Sequence, residues 1–311
     1  MLLNPKNYTL KHKDQRYQEI IEKTIAFFEN KGLQKVKDDD HQRIWYADFL
    51  DFIRKEKIFA TLLTPTGYGE KDCRWDTWRI AHFNEILGFY GLAYWYTWQV
   101  SILGLGPIWM SGNEALKQRA AKLLQDGEVF AFGLSEKEHG ADIYSTEMSL
   151  TPQTDGSYLA NGSKYYIGNG NAAKMVSTFG KISDSGDYVV FNANYLHKNY
   201  TCIKNVVNSQ SYVAEYTLSD YPVGEEDILE KGEDAWNAVL NTVNIGKYNL
   251  GWASIGMSTH AFYEAINHAS QRQLYGFHVT DFSHVKHMFM DAYSRLVAMK
   301  LVALRAADYM R

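Results

Sequence analysis

The chain has 311 residues, of which 46% are hydrophobic, and a formal net charge of −4. This length predicts two or three domains, and the apolar fraction excludes a disordered chain. A weak negative charge without a Lys/Arg block argues against nucleic acid as a partner. Two cysteines, Cys73 and Cys202, cannot form a disulfide framework, and no apolar signal-peptide core opens the chain. Both features favour a reducing, cytoplasmic location.

Residues 1–128 are predicted to form an N-terminal α-helical domain. Apolar residues recur at helical spacing over residues 14–31 and again over residues 47–58. Further helices are predicted over residues 75–98 and 115–124. The second of these is preceded by Gly112 and Asn113, which suit a helix start.

The segment Ile86–Met110 is nearly continuous apolar sequence and is long enough to span a bilayer. Glycines and Pro107 interrupt it, Gln99 lies in its middle, and no basic flank marks a membrane anchor. The sequence therefore favours a buried helix, and we expect no transmembrane segment.

Residues 129–232 are predicted to form a small β-barrel or sandwich, because short strand-like runs alternate with turns. Strands are expected over residues 175–179, 188–193 and 212–218. Asn161-Gly162 can adopt positive φ at both positions, so a two-residue hairpin is predicted there.

Residues 233–311 are predicted to be helical again, with long periodic segments over 236–270 and 281–311. No Gly, Asn or Pro ends the last helix, so a helix bundle is predicted that is only partly present. The expected fold class is a multidomain α+β protein: N-terminal helices, a central small β-barrel and an apparently truncated C-terminal helix bundle.

The most informative segment is residues 129–142, VFAFGLSEKEHGAD. Its apolar first half fits a short buried strand, and residues 135–142 form a dense polar turn. The turn offers a hydroxyl and, at Gly140, bare backbone that a phosphate or a ring edge could approach.

Further motifs accompany this turn in a fixed order from about residue 45 to the end. The turn LSEKEHGAD is similar to L-T-E-P-x-A-G-S-D, and residues 159–170 are similar to L-N-G-x-K-x-W-I-T-N-G. Residues 65–69 are similar to P-x-x-Y-G-G, residues 112–128 to G-x-x-x-x-K-Q…L…G-E, and residues 272–285 to R-x-x-F-G…F-x-x-V. This ordered set resembles the acyl-CoA dehydrogenase family.

The resemblance implies a FAD-dependent oxidoreductase of fatty acid metabolism. Such an enzyme performs α,β-dehydrogenation of an acyl-CoA thioester, in which a base removes the α-proton and the β-hydride passes to flavin N5. It also implies a homo- or hetero-oligomer, a dimer or tetramer, that passes electrons to an electron-transfer flavoprotein or a similar acceptor.

The resemblance assigns site residues one by one. Lys247 and Ala141 are expected to contact the substrate, and Arg272 the pyrophosphate of a flavin in the neighbouring subunit. His284 and His287 have no evident third ligand, so no metal is expected. The residues expected to contact the cofactor are Phe132, Leu134, Ser135, Gly140, Ala141, Tyr166, Ile167, Gly168 and Arg272.

Several positions depart from the family pattern. Ala141 replaces a serine, Gly168 replaces a threonine that faces the flavin, and Tyr166 replaces a tryptophan but can still stack. The catalytic base is absent from this sequence: one family position falls at Gly246, and the other lies beyond Arg311.

Three explanations remain open for the missing base. The chain could be a fragment of a longer protein. It could be a catalytically silent acyl-CoA/flavin-binding subunit of a hetero-oligomer. It could also be a flavin-dependent monooxygenase on the same fold. The length and branching of the acyl chain, the oligomeric state and the electron acceptor stay open as well.

Overall fold

The structure is a computed structural model that describes residues 2–8 and 11–310. The described residues form two compact units. One comprises the described residues of Met1–Val36, Asp76–Trp95 and Tyr248–Arg311, and the other comprises Lys37–Trp75 and Tyr96–Lys247. The three-part division at residues 128 and 232 stays a prediction.

Helices dominate both ends of the chain. In chain order the α-helices of the described residues are α1 (Gln15–Lys31), α2 (Leu33–His41), α3 (Ala47–Lys55), α4 (Ile58–Leu63), α5 (Thr77–Tyr90), α6 (Leu92–Met110), α7 (Glu114–Gln125), α8 (Gly232–Gln271) and α9 (Ser283–Tyr309).

Strands occupy the middle of the chain, together with one short hairpin between α8 and α9. They are β1 (Phe130–Gly133), β2 (Ser149–Pro152), β3 (Tyr158–Gly168), β4 (Met175–Ile182), β5 (Tyr188–Ala193), β6 (Tyr200–Asn205), β7 (Val213–Val223), β8 (Ile228–Lys231), β9 (Gln273–Leu274) and β10 (Phe277–His278). Helices thus precede and follow a central sheet, which confirms the predicted α+β fold class.

Local capping explains where two of the predicted helices begin. The carboxylate of Asp14 accepts a hydrogen bond from the backbone N–H of Tyr17 at 3.0 Å, and α1 starts at the next residue after this cap. Asn113 caps α7 in the same way, because its Oδ1 accepts from Leu116 N at 3.0 Å. Both helices were predicted from the sequence and are confirmed.

Two predicted helices are broken where the sequence suggested continuity. The predicted helix over 47–58 is wrong beyond α3, because Lys57 adopts the left-handed conformation (φ 55°) and α4 starts afresh. The predicted helix over 75–98 is also wrong, because Gly91 is extended and separates α5 from α6. A side chain at Gly91 would approach the Tyr94 ring to 2.9 Å, so the break makes room for that ring.

The apolar segment from Ile86 to Met110 contributes to α5 and α6, and most of its residues are buried, as predicted. None of the helices in the described residues combines the length and the hydropathy that crossing a membrane requires.

The central sheet is mixed and lies entirely in the second unit. Its hydrogen-bonded order is β6-β7-β3-β2-β4-β5-β8, and β1 pairs in parallel with β4. The buried apolar core around this sheet includes Met148, Ile167 and Tyr216. The predicted strands at 175–179, 188–193 and 212–218 are confirmed as parts of β4, β5 and β7.

The predicted hairpin at Asn161-Gly162 is wrong. β3 continues through both residues for 11 residues and pairs with β2 on one side and β7 on the other. The glycine instead sits at a register shift against β7, with φ +145°, and a side chain there would approach Met148 Cα to 2.8 Å. A bulge and a turn both need unusual φ, so the dipeptide alone did not distinguish them.

Close helix contact in the first unit depends on a glycine of α8. A Cβ atom on Gly256 would lie 2.0 Å from the carbonyl oxygen of Glu85 in α5. By contrast, Gly251 on the same helix has open space around its Cβ position. The absence of a side chain at Gly256 therefore sets how closely the two helices approach.

We expect Gly256→Ala to lower the free energy of unfolding by about 2 kcal/mol or more, because a backbone atom must move. Gly251→Ala is the matched control, and it should raise the free energy by about 0.5–1 kcal/mol because alanine favours a helix. Urea denaturation followed by circular dichroism measures both. Equal effects of the two substitutions would contradict the close contact.

Candidate functional site

The polar turn after β1 is closed at its base by one carboxylate. Oε1 of Glu136 accepts hydrogen bonds from Thr146 Oγ1 at 2.5 Å and from Met148 N at 3.1 Å. Its Oε2 accepts from Glu147 N at 2.8 Å. The turn therefore leaves the sheet at Glu136 and returns to it just before β2.

A buried lysine of β3 holds this closed turn against the sheet. Lys164 is fully buried, and its ammonium donates to Glu136 Oε1 at 2.7 Å, to the Leu134 carbonyl at 2.9 Å and to Thr146 Oγ1 at 3.2 Å. Since an ammonium has three hydrogens, each finds an acceptor. The Lys164 ammonium therefore makes all the hydrogen bonds that it can donate, although it is buried.

The surroundings of the pair shift both ionisations. Burial lowers the pKa of Lys164 to about 8, against the opposing effect of the Glu136 carboxylate. Burial alone would raise the pKa of Glu136, but the Lys164 ammonium and the backbone N–H donor together hold it below its usual range. Near neutral pH both groups are therefore charged, which suits a permanent structural link.

Ser135 adds a second connection between the turn and β3. Its Oγ donates to the carbonyl of Tyr165 at 2.9 Å, and the N–H of Tyr165 donates to the Ser135 carbonyl at 2.9 Å. The hydroxyl proton is used in this contact, so Ser135 can offer a ligand only its lone pairs.

Tyr166 is exposed next to this connection. It has φ +69°, which is rare for a bulky residue, and it lies within a register shift between Lys164 and Ile167. The side chain of Tyr166 is 55% exposed, whereas Ile167 is buried. A strained backbone that presents an aromatic ring to solvent is typical of a binding surface.

Gly168 is packed against helix α6. A Cβ atom at this position would lie 2.7 Å from Tyr96 Cε1, 2.7 Å from Val100 Cγ2 and 2.8 Å from the Tyr96 hydroxyl. Tyr96 therefore occupies the volume that a side chain at 168 would need. Burial, with Tyr166 nearby, raises the pKa of Tyr96, so its hydroxyl stays protonated and able to donate.

Asn169 fixes the position of α6 on this end of β3. Its Oδ1 accepts from Thr97 Oγ1 at 3.1 Å, and its Nδ2 donates to the carbonyls of Thr97 at 3.2 Å and Phe130 at 3.0 Å. Like Tyr166, Asn169 has positive φ, at 58°. One buried amide thus joins α6, β1 and β3 around the candidate site.

The tip of the turn is open. Gly140 and Ala141 are exposed, and nothing lies within 4 Å of a Cβ position on Gly140. Within the described part of the chain, no residue accepts a hydrogen bond from the backbone N–H groups of residues 137–142. Such N–H groups are available to an anion.

The remaining predicted residues have varied settings. Phe132 is buried in β1 opposite Ser177 of β4. Lys247 is exposed on α8 in the second unit. Arg272 is exposed just after α8 in the first unit, and its carbonyl accepts from Val279 N at 2.9 Å. Their predicted contacts stay predictions.

The described residues contain no group of three or more His, Cys, Asp or Glu side chains that could hold a metal ion. His284 and His287 accordingly gain no third partner of these types from the described fold.

The C-terminal residues 233–311 match the family model "Acyl-CoA dehydrogenase, C-terminal domain". Over 93% of the chain, the sequence is 25% identical to the short-chain specific acyl-CoA dehydrogenase of Megasphaera elsdenii, of which it covers 78%. The fold matches the structure of butyryl-CoA dehydrogenase from Megasphaera elsdenii with a TM-score of 0.87, at 23% identity, over 97% of this chain and 80% of the other. The predicted resemblance to the acyl-CoA dehydrogenase family is confirmed.

Two further similarities involve larger or associated proteins. The chain is 25% identical over 71% of its length to the caffeyl-CoA reductase-Etf complex subunit CarC of Acetobacterium woodii, of which it spans only 60%. It also matches an acyl-CoA dehydrogenase from Bacillus anthracis complexed with FAD, with a TM-score of 0.84 at 21% identity, over 99% of this chain and 53% of that one.

On this acyl-CoA dehydrogenase fold, the position expected for an alternative base is crowded by neutral groups. A Cβ atom on Gly246 would lie 2.9 Å from Leu103 Cδ2 and 3.3 Å from Gln99 Nε2. A glutamate at this position would therefore have to displace Leu103. The nearest polar group, the Gln99 amide, does not titrate and cannot act as a general base.

The pairing of Glu136 with Lys164 was not predicted from the sequence. The signal was present, because Lys164 interrupts an otherwise strand-like segment and a buried lysine needs an anion. The role of Tyr96 was missed entirely, since nothing near residue 96 in the sequence relates it to Gly168.

We expect Lys164→Met to lower the free energy of unfolding by about 3–5 kcal/mol, because the buried Glu136 carboxylate loses the ammonium with which it pairs. The control is Lys204→Met, which breaks the solvent-exposed pair with Glu215 at 3.4 Å and should cost less than about 1 kcal/mol. Thermal and urea denaturation measure both variants. Equal losses would show that the buried pair does not hold the turn.

We expect Gly168→Ala to destabilise the protein by about 1–3 kcal/mol, because the new methyl group meets the Tyr96 ring. In the double variant with Tyr96→Ala the two losses should fall short of additivity by at least about 0.5 kcal/mol. Gly140→Ala, which fills open space, should change stability by less than about 0.5 kcal/mol. Strictly additive losses at 168 and 96 would contradict the packing.

Proposed function

We propose that this chain binds FAD on the surface formed by the 135–142 turn and the end of β3, and acts as an acyl-CoA dehydrogenase-type oxidoreductase. The observation that supports this proposal most directly is Tyr166, an exposed aromatic ring on a strained backbone beside a turn with available N–H groups. A flat apolar surface next to an anion-binding turn is suited to a ligand with a planar ring and a pyrophosphate. The similar fold of an FAD-complexed acyl-CoA dehydrogenase supports the same choice.

The residues present fit this cofactor. Tyr166 would stack against the ring, with buried Ile167 beneath it, and Gly168 would leave the adjoining space to Tyr96. Ser135 would accept a hydrogen bond, because its own proton is donated to Tyr165. The backbone at Gly140 and Ala141 would meet the pyrophosphate, and Phe132 and Leu134 would support the site from β1.

When bound, FAD supplies hydride acceptance from the β-carbon of an acyl thioester. This chain's own residues supply orientation. Lys164 and Glu136 hold the base of the turn at fixed distance from β3, so the N–H groups and the Tyr166 ring keep one mutual arrangement. Lys247 and Ala141 would contact the substrate, and Arg272 would reach a flavin in a neighbouring subunit.

The α-proton needs an acceptor that the site around Gly246 lacks, because its nearest side chains are Leu103 and Gln99. This crowding favours a second candidate function, in which the chain is a flavin- and acyl-CoA-binding subunit of a hetero-oligomer. The similarity to a subunit of a caffeyl-CoA reductase-Etf complex supports an electron-transfer flavoprotein as partner.

The visible absorption spectrum of the purified chain with added FAD tests the cofactor. We expect a bound flavin band after desalting, and Tyr166→Ala should weaken FAD binding at least about tenfold through loss of stacking. Leu196→Ala removes a side chain of comparable exposure, 62%, from the same unit and should leave binding unchanged. A wild-type chain that retains no flavin would refute the proposed cofactor.

Anaerobic addition of butyryl-, octanoyl- or palmitoyl-CoA then separates the two functions. Bleaching of the flavin band by one of them would support the dehydrogenase and require a base from outside this site. A band that shifts without bleaching would support the non-catalytic subunit and exclude dehydrogenation by this chain alone.

A further inference from the structure

A separate cavity of about 510 Å³ lies within the first unit. Its wall is formed by the N-terminal segment, α5 and α9. The apolar part of the wall includes Leu3, Trp78, Ile86 and Leu304. This volume and this lining are typical of sites for small organic ligands.

An ion pair is buried at the wall of this cavity. Glu85 and Lys300 are 4% and 6% exposed, and the ammonium of Lys300 donates to Oε2 of Glu85. Lys300 also lies 4.6 Å from the centre of the Trp252 ring. A buried ion pair contributes little net stability compared with apolar residues of the same size, so its presence calls for another explanation.

The second oxygen of this carboxylate has no hydrogen-bond partner among the described residues. Oε1 of Glu85 is buried, and no donor in the described residues reaches it. A buried acceptor without a hydrogen bond is costly and rare in folded proteins. Because Glu85 lines the cavity, a donor carried by a bound ligand would satisfy this oxygen.

Lys11 also lines the cavity, but its side chain is 77% exposed and its ammonium pairs with Glu22 at 3.3 Å. The side chains of His82, His12 and Tyr8 are neutral near pH 7. Burial, with Lys300 and His12 nearby, lowers the pKa of His82 to about 3. Burial also lowers the pKa of His12, whose Nε2 lies 2.8 Å from the Tyr8 hydroxyl. Burial raises the pKa of Tyr8 to about 12. Burial also raises the pKa of Glu85, against the opposing effect of the Lys300 ammonium. Among the described residues of the wall, Glu85 and Lys300 are the two buried charged groups.

We propose that this cavity binds a small neutral alcohol, whose hydroxyl donates to Oε1 of Glu85 and whose apolar body packs against Trp78, Ile86 and Leu304. An anion is disfavoured, because it would face the free carboxylate oxygen. A pure hydrocarbon is disfavoured as well, because it would leave that oxygen without a donor. This binding site is separate from the proposed flavin site, whose turn and strand belong to the second unit.

Benzyl alcohol, toluene and benzoate test the proposal, because they share one ring and differ in the group offered to Glu85. Each is titrated into the full chain with labelled isoleucine and leucine methyl groups, and the Ile86 methyl shift is followed by NMR. Ile53, buried in the second unit, is the internal reference. We expect saturable binding of benzyl alcohol that is at least about tenfold tighter than that of toluene or benzoate. No saturable shift, or equal binding of all three, would overturn the proposal.

Two variants locate the site and the contact. Leu304→Trp fills the cavity and should abolish the shift, whereas Leu301→Trp on the exposed side of α9 should preserve it. The paired change Glu85→Gln with Lys300→Met removes both charges together and avoids leaving one charge unpaired. It should bring benzyl alcohol and benzoate to within about twofold of each other. Binding that survives Leu304→Trp, or a preference that survives the paired change, would overturn the proposal.

Discussion

The buried contact between Lys164 and Glu136 is the constraint on which the candidate flavin site depends. An ammonium without water must find three acceptors, and it finds them in the turn after β1 and at its return to β2. The polar turn is long and otherwise exposed. It owes its fixed position to the lysine that β3 places beneath it, and to the Ser135–Tyr165 contacts beside that lysine.

A second constraint comes from helix α6, which carries polar side chains through a buried, mostly apolar segment. Thr97 meets Asn169, and the Asn169 amide also reaches β1 through the carbonyl of Phe130. This link places the Tyr96 ring against Gly168, two residues after Tyr166. The volume that a side chain at residue 168 would need is therefore filled by a side chain of another element.

Two buried ion pairs among the described residues differ in one respect that decides their interpretation. At Glu136 both carboxylate oxygens accept hydrogen bonds, so the pair is complete and has a structural role. At Glu85 the described residues hydrogen-bond only one oxygen, and Glu85 lines a cavity. Both pairs are buried, but only the pair with an unused carboxylate oxygen can accept a further hydrogen bond from a ligand.

The surroundings of Gly246 bear on which reaction the chain can perform. Gly246 is surrounded by Leu103 and the Gln99 amide, so the place where a base was sought is filled by neutral groups. The described residues thus offer a candidate surface for the cofactor but no proton acceptor next to Gly246. For this reason we keep a subunit of a hetero-oligomer beside the dehydrogenase as a proposed function.

Elements with local signals could be read from the sequence by itself. Periodic apolar residues and the caps Asp14 and Asn113 determined α1 and α7, and alternating runs determined β4 and β5. The motif order also indicated the family. Helix caps and periodic apolar residues act within a few residues of sequence, so they can be interpreted without knowing which other elements they pack against.

Only the tertiary structure decided features that join distant residues. Asn161-Gly162 became a bulge because β2 and β7 pair with β3 on both sides. Lys164 found Glu136 across 28 residues of sequence, and Tyr96 took the space at Gly168. The sequence shows that such groups are present and must be satisfied, but their partners depend on how the elements pack. Packing is set by shape and burial over the whole unit, which no local pattern encodes.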